Sequence, residues 1–336
     1  MPGRRVTTAS AVAAGLYSAR DNEADGYLAV RVADEGPAVE MAVEAANLAL
    51  KRSELDAAEV SLVVHACTAH QGLENLAAAS YVQSRTVQGT ATAVEVNQLS
   101  NGGMIALELA AASLAVRPAP RAALLTTSDR FVSPTYDRYR SDQGTVFGDA
   151  ATALVLSRRP GVARLLSTTV IGDASFVGLQ IGDAPWTDAV DPSAWPVDLT
   201  ARRKQHIAAH GVDVLMRLMV TSTRLQRESI ESALADAGVT ADDVTWWVVP
   251  NMGTAVVDWD FRRRMGLDEA RTTWSWGREV GHLGAGDQVG GLTHLFEAGL
   301  VHAGQRVALV GVGQGENYGC AVLEILEEPE WQDSFS

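Results

Sequence analysis

The sequence has little cysteine: its 336 residues include two, Cys67 and Cys320. Two cysteines in a chain of this length exclude the disulfide framework of small secreted proteins, and no spacing is typical of a zinc site. The expected compartment is therefore a reducing cytoplasm. We expect neither a metal nor another cofactor.

Positive charge is also scarce: the sequence has 27 lysines and arginines and 41 acidic residues, which gives a net charge of −14. Such an acidic chain is a poor ligand for nucleic acid. No apolar run has the length of a membrane span, so no membrane partner is expected. Hydrophobic residues make up 47% of the chain, which is enough for a large core and excludes global disorder.

What the sequence does contain is an internal repeat. Segments of the first half match segments of the second in order and at a nearly constant offset: 43–68 with 230–254, 96–116 with 280–301, 122–129 with 307–314, and 151–159 with 320–328. Short apolar strands that alternate with helices are typical of mainly parallel sheets covered on both faces. The repeat therefore predicts a duplicated α/β fold, with halves 1–165 and 166–336 related by a pseudo-twofold axis.

Residues 166–228 depart from this repeat. They are rich in Gly, Asp, Pro and Trp and become helical from Ala201. Long loops in compact domains are usually functional, so we expect a lid or a wall of a substrate cavity here.

The segment VNQLSNGGM places Ser100 at the end of a strand and the start of a helix. The unpaired N–H groups of a helix N-terminus stabilise a developing oxyanion, which suits a nucleophile. The same position suits an ordinary N-cap serine. Ser100 is thus a candidate nucleophile with a structural alternative.

Three turns of the second half carry further candidates. In GHLGAGDQ, His282 precedes Asp287 by five residues, so the carboxylate can orient the ring, although a structural histidine has the same pattern. Asn251 follows a buried strand, where it can bind a carbonyl or cap a turn. Gly313 permits close approach of a ligand. The pseudo-twofold axis would bring Ser100, Asn251 and His282 to one point.

Together the motifs VNQLSNGGM, FGDAATALVLS, VVPNMGT, VGHLGAGD and GVGQG resemble those of the thiolase fold, and specifically of the ketoacyl-carrier-protein synthase III branch. The resemblance covers essentially the whole chain, although residues 1–30 fit poorly. It implies a five-layer αβαβα architecture, a homodimer and a buried nucleophile at a helix N-terminus.

The family's Cys–His–Asn constellation is replaced here by Ser100, Asn251 and His282. This pattern is similar to that of synthase III-like acyltransferases of antibiotic pathways, whose histidine lies on the G-H turn with an aspartate five residues later. The resemblance implies a catalytic triad of Ser100, His282 and Asp287, with Asn251 and Gly313 in substrate binding. A serine hydroxyl needs such a base, whereas a thiol is partly ionised on its own. Cys67 is interpreted as a buried or pocket-lining residue.

The features with which the family reads coenzyme A are not found in residues 1–50, which favours a carrier-protein thioester as the acyl donor over a CoA thioester. Arg263 and Arg264 lie where the family's carrier-docking residues lie, although a solvated helix face explains them equally well. The hypothesis is an acyltransferase that moves a short acyl group from an acyl or peptidyl carrier protein to a small-molecule acceptor. The alternatives are a starter-unit ketosynthase that condenses with decarboxylation, and a non-catalytic thiolase-fold partner subunit.

Overall fold

The computed structural model describes residues 1–116, 121–329 and 331. In chain order the helices and strands are β1 (Arg5–Thr7), α1 (Thr8–Ala13), α2 (Ala19–Asp25), β2 (Ala29–Arg31), α3 (Ala38–Ser53), β3 (Val60–Ala66), α4 (Ala78–Arg85), β4 (Thr92–Val96), α5 (Gly102–Val116), β5 (Ala122–Asp129), β6 (Ala150–Ser157), β7 (Ala163–Gly172), α6 (Gly178–Ile181), α7 (Leu199–His210), α8 (Asp213–Ala237), β8 (Val244–Val248), α9 (Trp259–Arg264), α10 (Trp274–Val280), α11 (Asp287–Glu297), β9 (Arg306–Gly313) and β10 (Asn317–Ile325). Short 3-10 turns at Leu99–Asn101 and Gly284–Gly286 precede α5 and α11.

Two four-stranded sheets form the framework. The first has the order β4-β3-β5-β6, with β3 parallel to β4 and β5, and β6 antiparallel to β5. The second has the order β8-β9-β10-β7, with β8 parallel to β9, and β10 antiparallel to both of its neighbours. Both sheets are mixed. The first is mainly parallel, as the sequence pattern indicated, whereas two of the three strand pairings in the second are antiparallel. The turn between β9 and β10 is too short for the crossover that parallel pairing needs.

The two sheets nevertheless repeat one arrangement. The strands β3, β5 and β6 are ordered like β8, β9 and β10. Helix α3 precedes the first set and α8 the second, while α5 precedes β5 as α11 precedes the equivalent strand β9. This confirms the duplicated architecture. The boundary at residue 165 falls inside β7, which pairs with β10 of the second sheet, and that division stays a prediction.

The layers follow the predicted αβαβα order. Helices α3 and α4 cover the outer face of the first sheet, α5 and α11 lie between the sheets, and α8 covers the outer face of the second. The window Leu99–Val116, which includes α5, is long and apolar enough to cross a membrane by length and composition, contrary to the expectation from sequence. Its apolar residues pack against strands of both sheets, and a helix buried on two sides is apolar all round.

The segment that departs from the repeat forms most of β7, then α6, α7 and the first part of α8. The backbone N–H of Leu199 donates to Ser141 O at 2.8 Å, which attaches α7 to the loop before β6. On α8, Ser222 Oγ donates to Glu316 Oε2 at 3.0 Å, beside the start of β10. A surface cavity of about 620 Å³ lies between these helices and the chain after β7. A lid or wall role for this segment stays a prediction.

Candidate active site

A strained turn presents Ser100 at the start of α5. Leu99 has a φ of +50°, a left-handed conformation that costs a non-glycine residue about 1–3 kcal/mol. The turn continues directly into α5, so that Ser100 lies at the N-terminal end of the helix. A methyl group added to Gly103 would lie 2.4 Å from the carbonyl oxygen of Ala285. Glycine is therefore required for α5 to approach the turn that carries His282.

A chain of hydrogen bonds joins the three residues of the predicted triad. Ser100 Oγ lies 2.7 Å from His282 Nε2, and His282 Nδ1 lies 2.6 Å from Asp287 Oδ2. Because the carboxylate can only accept, Nδ1 carries the proton and Nε2 accepts from the serine hydroxyl. The imidazole thus has the tautomer that a general base for Ser100 requires.

Asp287 is held by three donors at the start of α11. Besides His282 Nδ1, its Oδ2 accepts from the backbone N–H of Asn251 at 2.9 Å. Its Oδ1 accepts from the backbone N–H of Leu283 at 2.8 Å. The carboxylate is almost completely buried, so these bonds fix its orientation and that of the ring.

The backbone of His282 is anchored to Val146 and Gly148 of the first half. Its N–H donates to Val146 O and its carbonyl accepts from the N–H of Gly148, both at 2.8 Å. The ring is almost fully buried. Burial acts to lower the pKa of His282, but the charge and hydrogen bond of Asp287, with the nearby charges of Asp129 and Asp142, outweigh it and raise the pKa above its usual value.

Asn251 is fully buried, and its side chain is used inside the protein. Its amide Nδ2 donates to Gly281 O at 2.9 Å, next to His282. Its backbone carbonyl accepts from Tyr27 Oη at 2.7 Å. A methyl group on Gly277 would lie 2.4 Å from Asn251 Oδ1, so the amide is packed tightly on that side as well. Through its bonds to Gly281 O and to Asp287 Oδ2, Asn251 holds both ends of residues 281–287, which we call the histidine turn.

Gly313 lies at the end of β9, against the nucleophile turn. A methyl group there would lie 2.8 Å from the backbone nitrogen of Asn101. The glycine therefore allows β9 to pack on the residue next to Ser100. This close approach is to the chain's own backbone, whereas the sequence led us to expect approach to a ligand, and a role of Gly313 in substrate binding stays a prediction.

The two cysteines lie elsewhere in the structure. Cys67 follows β3 and is partly buried, while Cys320 is fully buried in β10. Burial, followed by the charges of Asp129 and Glu95, raises the pKa of the Cys67 thiol to about 12. A thiol with such a pKa is protonated at neutral pH and is a poor nucleophile.

The arginines of α9 differ in exposure. Arg262 is buried with its guanidinium 4.9 Å from the centre of the Trp259 ring, and burial lowers its pKa to about 10. Arg263 is exposed and pairs with Asp260 on the same helix. Arg264 is exposed as well. The two residues singled out for docking are thus the ones that reach solvent.

One buried residue of the site was not identified from the sequence. Asp129, at the end of β5, is fully buried and accepts from the backbone N–H groups of Thr68 and Ala69, both at 2.6 Å, and of Ala285 at 2.9 Å. Burial raises the pKa of Asp129 to about 7, although these three bonds and the charge of His282 oppose the shift. Its position at a strand end is the signal that would have found it, because the same rule pointed to Asn251.

Among the residues that the structure describes, no group of three His, Cys, Asp or Glu side chains is arranged to hold a metal ion. A five-layer duplicated fold, with a hydroxyl–imidazole–carboxylate chain where its halves meet, defines a thiolase-fold transferase. The family models agree: residues 94–174 match 3-oxoacyl-[acyl-carrier-protein] synthase III and residues 234–325 match the C-terminal part of the same enzyme. The chain belongs to the 3-oxoacyl-[acyl-carrier-protein] synthase III family.

Individual relatives support this assignment. The solved structure of ChlB3, described as an acyltransferase, is 32% identical, covers 99% of this chain and 97% of its own, and superposes with a TM-score of 0.92. A β-ketoacyl-[acyl-carrier-protein] synthase III of Streptomyces coelicolor is 28% identical over 296 residues, 87% of this chain and 84% of that protein. The synthase III structure from Pseudomonas aeruginosa, at 21% identity, 98% and 96% coverage and a TM-score of 0.76, shows the shared fold.

Proposed function

We propose that the protein is an acyltransferase that moves a short acyl group from a carrier-protein or CoA thioester, through an ester on Ser100, to an acceptor hydroxyl, amine or carrier thiol, without loss of carbon dioxide. The observation that carries the proposal is the unbroken chain from Ser100 Oγ through His282 to Asp287, with distances of 2.7 and 2.6 Å. The likeness to ChlB3, described as an acyltransferase, supports acyl transfer. An acceptor from a natural-product pathway stays a prediction.

In the first half-reaction, His282 Nε2 accepts the hydroxyl proton while Ser100 Oγ attacks the thioester carbonyl. The C–S bond breaks, and the departing thiolate takes the proton from the imidazolium. Asp287 keeps the ring in place and stabilises its positive charge. The N-terminal end of α5 lies beside Ser100, and the positive end of the helix dipole there favours the negative charge that develops on the carbonyl oxygen.

In the second half-reaction, the acceptor occupies the place of the thiol. Its O–H, N–H or S–H proton passes to His282 Nε2 as its heteroatom attacks the ester carbonyl. The ester bond to Ser100 Oγ breaks, and the imidazolium returns the proton to the serine. One base thus serves both steps, and the enzyme ends in its starting protonation state.

Asn251 separates this proposal from decarboxylative condensation, which uses two side-chain donors on the malonyl carbonyl. Here the amide of Asn251 donates to Gly281 O and is fully buried, which favours a positioning role for it over contact with substrate. The second alternative, a non-catalytic subunit, is disfavoured because a subunit without chemistry has no need of an intact hydrogen-bond chain at this point.

We propose that two copies associate through β4. This strand lies at the edge of the first sheet, and its residue Val94 is 38% exposed. An edge strand offers unpaired N–H and C=O groups, and a second copy related by a twofold axis would pair with them. Sedimentation tests the homodimer, which a stable monomer at micromolar concentration would contradict.

The docking of a carrier protein is proposed for α9. Arg263 and Arg264 are the exposed basic residues there, and carrier proteins are acidic, so the overall charge of −14 must be offset locally. Because Arg263 is paired with Asp260, Arg264 is the better placed of the two for a new ion pair.

The cytoplasmic location also stays a prediction.

Intact mass spectrometry tests the acyl-serine directly. The protein is mixed with acyl-carrier thioesters of several chain lengths, and the adduct is mapped by peptide digestion. We expect an adduct on Ser100, none in Ser100→Ala, and a retained adduct in Ser100→Cys. With a malonyl-carrier donor we expect no release of carbon dioxide. An adduct on another residue, or stoichiometric carbon dioxide with C–C bond formation, would contradict the proposal.

A further inference from the structure

We infer that Asp129 is a positioning residue of the reaction: its buried carboxylate fixes the Gly284–Ala285 segment, and through it the place of His282 beside Ser100. The inference rests on the proposed function, because the exact place of the imidazole matters only if His282 acts as the base. Asp129 belongs to the first half of the chain, whereas the turn that it holds belongs to the second.

The contact with the histidine turn is direct. Asp129 Oδ2 accepts from the N–H of Ala285 at 2.9 Å. In the sequence, Ala285 lies between His282 and Asp287. A methyl group on Gly284 would lie 2.1 Å from the same oxygen, so the turn rests against the carboxylate without space between them. Gly284 has a φ of +63°, a conformation that glycine adopts without strain.

The other carboxylate oxygen holds a different wall of the site. Asp129 Oδ1 accepts from the N–H groups of Thr68 and Ala69 in the loop after β3. Ala69 packs in a buried cluster with Phe131 and Phe147. The Phe147 ring in turn lies 5.8 Å from the His282 ring, measured between centres. Asp129 thus supports the imidazole from the turn that carries it and, through Ala69, from the aromatic side.

The charge of Asp129 gives its positioning role a second, measurable effect, on the pKa of His282. His282 faces three carboxylates, those of Asp287, Asp129 and Asp142, and each favours its protonated form. Asp129 itself faces His282, the Cys67 thiol and the Tyr136 hydroxyl, of which the imidazole is the group that becomes positively charged. Burial raises the pKa of Asp129 to about 7, so its charge acts on the imidazole only where Asp129 is ionised. In that range, removing the charge of Asp129 lowers the pKa of His282, which a merely structural role would leave unchanged.

The test compares two buried aspartates. Asp129→Asn removes the charge and turns one acceptor into a donor. Asp149→Asn is the control, because Asp149 is also fully buried and accepts from backbone N–H groups, those of Ala33 and Phe131, but its charge is paired with Arg138. The rate of acylation of Ser100 is measured by intact mass from pH 5 to pH 9, and folding by thermal unfolding.

We expect Asp129→Asn to lower the acylation rate about 10- to 100-fold, as small misplacements of catalytic groups do, and to move the acid limb of the pH profile to lower pH. Asp149→Asn should lower the unfolding temperature without moving the acid limb. In a third protein, Ala285 is replaced by lactic acid, so that the backbone amide becomes an ester. This change removes the N–H that donates to Asp129 and keeps the side chain of residue 285. The protein keeps the charge of Asp129, so it should acylate several-fold more slowly with an unchanged acid limb.

The inference would be overturned if both Asp129→Asn and the lactic acid protein acylate at the wild-type rate and keep the acid limb of the wild-type pH profile. If Asp129→Asn does not fold, the lactic acid protein decides, since a wild-type rate in it refutes the positioning role. Failure of the proposed function gives a different result, because His282→Ala would then acylate normally. Loss of acylation in His282→Ala with normal Asp129→Asn would refute the role of Asp129 alone.

Discussion

Replacing Asp287 by asparagine is the sharpest perturbation of the proposed chemistry, because it keeps the shape of the side chain and changes only its bonding. The carboxylate accepts three N–H groups, from His282, Asn251 and Leu283. An amide has one oxygen and one NH₂ group, so it cannot accept all three. Either of its two orientations sets a donor against a backbone N–H.

The two orientations have different consequences for catalysis. If the amide oxygen replaces Oδ2, His282 keeps its tautomer and loses only the charge that stabilises the imidazolium. If the NH₂ group replaces Oδ2, His282 Nδ1 must accept, and the proton moves to Nε2, facing Ser100, where it blocks the base. Loss of a general base costs about 10²–10⁴-fold and a wrong tautomer about 10⁴-fold. We therefore expect a rate lower by about 10²–10⁴, which corresponds to about 2.7–5.4 kcal/mol in activation free energy.

Single-turnover acylation, followed by intact mass across pH, measures this effect. The base must be neutral, so activity falls as pH drops through the pKa of His282, and that pKa is raised above 6.5. Asp287→Asn removes the strongest attraction for the imidazolium, and the acid limb should therefore move to lower pH while the plateau falls. Thermal unfolding of the variant checks that the fold survives. A plateau within a few-fold of wild type, with an unmoved limb, would refute the assignment of Asp287 as the partner of the base.

Three further substitutions test other residues of the site. Cys67→Ser should leave the acyl group on Ser100 in peptide maps, because the Cys67 thiol is protonated at neutral pH; loss of the adduct would place the nucleophile at Cys67. Asn251→Ala should slow acylation and transfer alike without raising KM for the donor, because it loosens the histidine turn; a selective rise in KM would indicate a substrate contact instead. Reversing Arg263 and Arg264 to glutamate should weaken acylation by a carrier-borne donor and its salt dependence while sparing a pantetheine thioester; equal loss with both donors would argue against docking at α9.

Local patterns made the triad residues candidates, but each pattern also suits a structural role. A serine between a strand and an apolar helix can be an N-cap, and a histidine five residues before an aspartate in a glycine-rich turn can be structural. The resemblance to the synthase III-like acyltransferases, together with the repeat that brings the two turns together, indicated a triad. The same repeat predicted that the two halves are built alike, although it did not predict the order of strands within a sheet. It could not predict that β7 joins the second sheet, because a strand that leaves one half can pair with either edge.

Roles that depend on the direction of a hydrogen bond could not be predicted in this way. Asn251 was expected to face substrate, yet its amide points to Gly281 O, a partner fixed only by how the second half packs. The network around Asp129 spans residues from both halves, so no local pattern reveals it. Arg262 has the same sequence signature as its exposed neighbours, and only the packing of α9 on the second half distinguishes it from them.

The bonding of the polar atoms at the site bears on which chemistry can follow acylation. Before the reaction, His282 Nδ1 is engaged by Asp287, Nε2 by Ser100, and the amide of Asn251 by Gly281 O. Acylation removes the serine hydroxyl proton and frees only Nε2, which is then an acceptor without a donor. Neutral Nε2 can take a proton from a hydroxyl, an amine or a thiol, but it cannot donate to a malonyl carbonyl. Asn251 is fully buried, with its amide bonded to Gly281 O. The acyl-enzyme is therefore prepared for transfer to a protic nucleophile, and a C–C bond would require a donor that these three residues do not supply.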